Sequence, residues 1–191
     1  MDTSLLDKAI HFAVDAHQGA ERRGKGFPYV VHVLEALEIA ATMTSDQEVL
    51  AAAVLHDTIE DTDVTAEILR REFGNRVASL VEADTDIVLP DVSERRSWRA
   101  RKQAAIDRLA AAGRDAKIVA LGDKLSNMRA IRLDFAVLGD ALWSRFHAPG
   151  GAPDHEWHYR GLAKSLKELE GTPAYSEFTR AIEQVFEKQK R

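Results

Sequence analysis

Apolar residues recur at three- and four-residue steps along almost the whole 191-residue sequence, and no stretch alternates with a period of two. This excludes sheet-based architectures, because a strand turns alternate residues to one side whereas a helix groups i, i+3, i+4 and i+7. The predicted fold class is all-α. Residues 4–18 put Leu5, Leu6, Ala9, Ile10, Ala13 and Val14 on one stripe. Gly24, Gly26 and Pro28 break the period and predict a loop over 21–29. Helical patterning resumes over 31–43, and Ser45 or Asp46 can cap a third helix carrying Val49, Leu50, Ala53, Val54 and Leu55. Thr65 caps a fourth helix that stops at Gly74, and a fifth covers 75–83. Pro90 punctuates a connection over 84–94. Further helices are predicted over 95–112, 115–133, 155–170 and 174–189, with the strongest break at 147–154.

Cysteine is absent, which excludes disulfides, thiolate nucleophiles, zinc knuckles and iron–sulfur clusters. Any metal must be held by His, Asp, Glu, Asn or backbone oxygen. The length fits one domain over residues 1–191, and the 45% hydrophobic content is enough for its core. Against 31 acidic residues there are only 26 Lys and Arg, for a formal net charge of −5, which argues against a general nucleic-acid binder. No apolar run reaches the roughly 18–20 residues needed to span a bilayer. Met1-Asp2-Thr3-Ser4 lacks the basic-then-apolar layout of a signal peptide. A cytoplasmic protein with no membrane partner is expected, with homo-oligomerisation left open.

Chemistry concentrates in Leu55-His56-Asp57-Thr58-Ile59-Glu60-Asp61-Thr62. His56 and Glu60 are four apart, as are Asp57 and Asp61, so each pair is expected on one helix face. Three carboxylates this close repel one another unless a cation or a proton compensates. A neutral nitrogen beside an anionic oxygen suits Mn²⁺, Fe²⁺ or Zn²⁺. An exposed acidic helix end is the plainer alternative, but the apolar Ala51–Leu55 run just before it directs His56 inward. His32 follows the Gly/Pro loop, and Asp123 sits among core-type residues with Asn127 one turn further on. A buried Asp needs a partner, and Lys124 beside it is the plain candidate. Taken singly these residues are ordinary; their combination is not.

A lone His, a His-Asp pair and a distant Asp on separate helices resemble the HD phosphohydrolase superfamily. Arg23-Gly24-Lys25-Gly26-Phe27-Pro28-Tyr29-Val30-Val31-His32 is similar to the loop that opens the hydrolase domain of RelA/SpoT-type alarmone enzymes. The stretch from Ala53 to Thr62 resembles that family's HD-x-x-ED signature. Phe73-Gly74-Asn75-Arg76-Val77 and Asp123-Lys124-Leu125-Ser126-Asn127-Met128-Arg129 match its downstream motifs. The core motifs span residues 5–135. The tail over 139–189, through Leu142–Phe146 and His155–Arg160, resembles free-standing small alarmone hydrolases such as the metazoan SpoT homologue. Two departures bear on phosphate grip: Gly24 precedes Lys25, and Asp84-Thr85-Asp86 stands where relatives often carry a Thr-Lys pair.

The resemblance implies an HD-type helical bundle with a single metal site, in which His32, His56, Asp57 and Asp123 hold one Mn²⁺. No His lies between His56 and Asp123, which fits one ion. Glu60 and Asp61 would position or deprotonate the attacking water, and Asn127 would bond the ribose or base. Arg23 would stack on a purine or grip phosphate, with Lys25 beside it. The implied reaction releases pyrophosphate from the 3′ position of ppGpp or pppGpp, leaving GDP or GTP. One alternative is another nucleotide, such as the 2′-phosphate of NADPH. The other is a non-catalytic alarmone-sensing module, which would have no need of both Glu60 and Asp61.

The run Arg95-Arg96-Ser97-Trp98-Arg99-Ala100-Arg101-Lys102 holds five basic residues in eight. It reads either as a solvated helix face or as a wall facing the substrate's outer phosphates, with Arg99 and Lys102 the selected contacts. Trp98 and Trp143 are assigned to packing.

Overall fold

An apolar run as continuous as Val49–Leu55 can only lie inside a helical protein, and every one of its residues is buried. The computed structural model describes residues 2–86 and 94–187, with 94–96 described in backbone only. The chain forms α1 (Ser4–Ala16), α2 (Val30–Ala41), α3 (Gln47–Leu55), α4 (Thr58–Asp61), α5 (Ala66–Phe73) and α6 (Asn75–Asp84). It continues through α7 (Glu94–Ala111), α8 (Arg114–Leu138), a 3₁₀ segment at Gly139–Arg145, α9 (Ala152–Ser165), a second 3₁₀ turn at Lys167–Leu169 and α10 (Pro173–Phe186). No strand occurs among the described residues, only an isolated antiparallel bridge between Glu21 and Pro28 that closes the expected loop. Pro90 and the side chains of Arg95 and Arg96 lie outside the described residues. No helix among the described residues is long and apolar enough to cross a membrane.

Local signals account for most boundaries. Asp46, rather than Ser45, caps α3 by accepting from the Glu48 N–H at 3.0 Å, and Thr65 caps α5 by accepting from Ile68. Gly74, at φ +90°, ends α5 and starts α6 in a conformation other residues resist. Three expectations need correction. First, the helix through His56 does not continue to Asp61. His56 Nδ1 donates back to the Ala53 carbonyl at 2.9 Å and Thr58 donates to the Leu55 carbonyl at 2.7 Å, so side chains take acceptors a continuing helix would use. Second, α8 runs past 133 to Leu138, because nothing breaks it before Gly139. Third, α9 starts at Ala152, not 155, since Pro153 falls in its first turn, where a missing N–H costs nothing.

Helix α8 packs against α2, α3 and α10, while α9 joins α7 to α10. Phe178, Phe186 and Leu162 extend one continuous core from α3 and α8 into the C-terminal helices. The approach of α2 to α8 depends on Gly122, where an added Cβ would lie 2.6 Å from the Ala36 carbonyl oxygen. In an open helix Gly→Ala gains up to about 1 kcal/mol. Here overpacking of about 1–3 kcal/mol opposes it. Gly122→Ala is therefore expected to lower stability by up to about 2 kcal/mol in urea unfolding, the reverse of the propensity effect.

Candidate metal centre

Because α2, α3 and α8 touch one another, three side chains at their contact converge: His32 in the first turn of α2, His56 just past α3, and Asp123 in the middle of α8. Asp57 joins them from the turn. One ligand atom from each of the four lies within 4.8 Å of the others, the only such group of His, Asp and Glu among the described residues. His32 Nε2 is 3.3 Å from Asp57 Oδ2 and 3.2 Å from Asp123 Oδ1. His56 Nε2 is 2.8 Å and 3.5 Å from the same two atoms. Both Nε2 atoms are buried, yet these approaches lack the alignment of hydrogen bonds.

The donor set fits a divalent cation. A carbonyl only accepts, so the His56 Nδ1 bond to Ala53 puts the proton on Nδ1 and aims the Nε2 lone pair at the carboxylates. A lone pair facing carboxylates demands positive charge between them. Without a metal, protons answer that demand: burial pushes His56 down, but Asp57 and Asp123 outweigh it and hold it well above an ordinary imidazole. Burial likewise pushes Asp57 and Asp123 up. Their cationic neighbours, chiefly His56 for Asp57 and Lys124 for Asp123, win and hold both well below the carboxylate range. Lys124 also pairs with Asp84 at 3.3 Å. The Tyr29 hydroxyl donates to Asp57 Oδ2 at 2.6 Å, a contact that follows from its place three residues before His32 in the loop-to-helix corner.

Two adjoining clefts flank this centre, of about 460 Å³ and 310 Å³, sharing Arg23, Asn127, Phe146 and Tyr159 in their walls. Glu60 accepts the Asp86 N–H. It is open to solvent on one side while protein packs round its carboxyl. That desolvation, helped by the Asp57 charge, pushes it up to about 7. Asp61 and Lys25 line the larger cleft, where Lys25 is tied to Asp134 at 2.5 Å. Asn127 donates to Asp123 and accepts from Arg22 at 2.5 Å. Lys102 lines the smaller cleft and pairs with Asp86 at 2.6 Å. Arg99 is not brought in. It is exposed, pairs with Asp154 at 2.8 Å and lies 4.3 Å over the Trp157 ring, outside both clefts.

The smaller cleft carries Arg23, Arg101, Lys102, Arg108 and Lys124 against two carboxylates, Asp84 and Asp86, and so keeps a local positive excess despite the acidic chain. Arg101 and Arg108 were not singled out from the sequence; the available signal was their separation of seven residues, two turns along one face of α7. Arg22, which opens the short basic segment ending at Lys25, lines the larger cleft. Trp98 is buried as expected, but it also lines this cleft.

Comparison with known proteins adds an independent finding. A family model described as HD domain matches residues 9–148. The GTP pyrophosphokinase rsh of Brucella ovis is 35% identical over 133 residues, which is 69% of this chain but only 17% of that protein's length. The guanosine-3′,5′-bis(diphosphate) 3′-pyrophosphohydrolase MESH1 of Danio rerio is 36% identical over 130 residues, covering 66% of this chain and 69% of that one. The solved structure of a metazoan ortholog of SpoT, described as hydrolyzing ppGpp and playing a role in starvation responses, matches with a TM-score of 0.73 and 25% identity. That match covers 99% of this chain and 97% of the other.

Proposed function

This chain belongs to the HD domain family, and on that premise we propose that it hydrolyses the 3′-pyrophosphate of ppGpp or pppGpp, giving pyrophosphate and GDP or GTP. The observation that carries the reading is the convergence of His32, His56, Asp57 and Asp123 beside a cleft with excess positive charge. In this reading the whole chain acts as one hydrolase domain in the cytoplasm, with a single Mn²⁺ held by those four residues. A divalent ion held there would supply Lewis-acid chemistry to the reaction. Glu60 takes the proton from the attacking water, its raised affinity for protons suiting a base that works near neutrality. Asp61 orients that water from the wall of the larger cleft. Arg23, where the clefts meet, stacks on the base or grips phosphate, and Asn127 bonds the ribose. Lys25 and Lys102 offset phosphate charge from either side, while Arg99 drops out of the set.

Kinase and hydrolase names both occur among the relatives. A His/Asp centre flanked by carboxylates able to activate water favours the hydrolytic one. The test is product analysis. Metal-depleted protein supplied with Mn²⁺ is expected to release pyrophosphate from ppGpp, and a chelator is expected to stop it. Release of orthophosphate from NADPH with ppGpp untouched would reassign the substrate, and tight ppGpp binding without turnover would make the chain a sensor.

A further inference from the structure

His32 reaches the proposed centre through Nε2, so its Nδ1 has to carry the proton, and a group that only accepts must hold it there. His56 has such a partner in a backbone carbonyl. His32 does not: its Nδ1 lies 2.8 Å from the Ser126 hydroxyl, which can donate or accept. The next bond outward decides the direction. Ser126 donates to Glu35 Oε2 at 2.6 Å, and the other Glu35 oxygen accepts from Arg129 at 3.0 Å. Arg129 is in turn clasped through two bonds of 2.8 Å by Glu177 of α10. A hydroxyl has one proton. Once it is given to Glu35, Ser126 can only accept from His32.

We infer that Ser126 and Glu35 are positioning residues that fix the proton of His32 on Nδ1, and that Arg129 and Glu177 anchor them to α10. The inference rests on His32 being a metal ligand. It ties a helix outside the family match over 9–148 to the metal centre, and it gives the two histidines different supports, one backbone and one side chain.

Glu35→Gln tests the direction of the bond with little change of shape. Arg129 keeps the amide oxygen, the amide NH₂ turns to Ser126, and the serine hydroxyl then points at His32. That makes Nδ1 the acceptor and moves the proton to Nε2, where a metal would bind. In metal-free protein labelled with ¹⁵N-histidine, in alkaline buffer, long-range ¹H–¹⁵N spectra are expected to show His32 protonated at Nδ1 in the wild type and at Nε2 in Glu35→Gln. Titration with Mn²⁺ alone, followed by electron paramagnetic resonance, is expected to show at least about tenfold weaker binding in Glu35→Gln and in Ser126→Ala. An unchanged tautomer in Glu35→Gln overturns the inference even if affinity falls, and so does wild-type Mn²⁺ affinity. Wild-type protein that takes up no Mn²⁺ overturns the metal centre itself, and this inference with it.

Discussion

Asp123→Asn is expected to lose bound Mn²⁺ and at least about 10³-fold in kcat/KM, beyond the about 10–100-fold that follows from disturbing only a ligand's partner. Asp123 holds the centre together. Its Oδ1 faces both histidine Nε2 atoms, while Lys124 pairs with Oδ2 and Asn127 with Oδ1. Asparagine keeps the shape and opens no cavity, so the helix packing around Gly122 and Leu125 is spared. It removes the charge, however, and either orientation of the amide leaves one contact wrong: NH₂ against a ligand position, or NH₂ against the Lys124 ammonium. Lys124 keeps Asp84 as a counter-ion, which limits the cost to the fold. The measurements are metal content after gel filtration, kcat/KM on ppGpp with added Mn²⁺, and melting of the metal-free protein. Wild-type metal content and activity in Asp123→Asn would remove Asp123 from the ligand set.

The parts of this site legible in the sequence are those that short-range pattern dictates. The apolar run before His56 fixed its burial, and core-type neighbours did the same for Asp123, because in a helix a residue's surroundings follow from its own periodicity. The break after Leu55 was not legible. It depends on whether His56 and Thr58 spend their hydrogen bonds on the preceding turn, and periodicity is silent about that. Arg99 shows the same limit. One helix turn presents Arg99 and Lys102 on neighbouring faces, but which of them meets the cleft depends on Asp154 and Trp157, more than fifty residues away. The two acids that depart from the family pattern, Asp84 and Asp86, turn out to pair with Lys124 and Lys102. Lys102 of the basic run is thus already paired with Asp86, so a phosphate there meets a partly offset charge. Arg22 on Asn127 and Ser126 between His32 and Glu35 are contacts between distant segments, created only when α2 and the loop before it pack against α8.

Glu60→Gln is expected to lower kcat on ppGpp by about 10²–10⁴-fold, the range for losing a general base, while Mn²⁺ affinity stays at the wild-type level. The separation of the two effects follows from position. Glu60 is outside the four-residue cluster, and glutamine can still accept the Asp86 N–H through its amide oxygen. The pH dependence supplies the sign. A base works only when deprotonated, and desolvation, then the Asp57 charge, raise Glu60 from the ordinary value of 4.5 to about 7. Wild-type kcat should therefore fall as the pH drops toward and below neutrality. Bound Mn²⁺ favours the carboxylate and moves that limb to lower pH, so the diagnostic is the disappearance of the limb in Glu60→Gln rather than its midpoint. A Glu60→Gln enzyme with unchanged kcat would overturn the assignment, and if Asp61→Asn then lost turnover with the same limb, the base would be the carboxylate in the larger cleft.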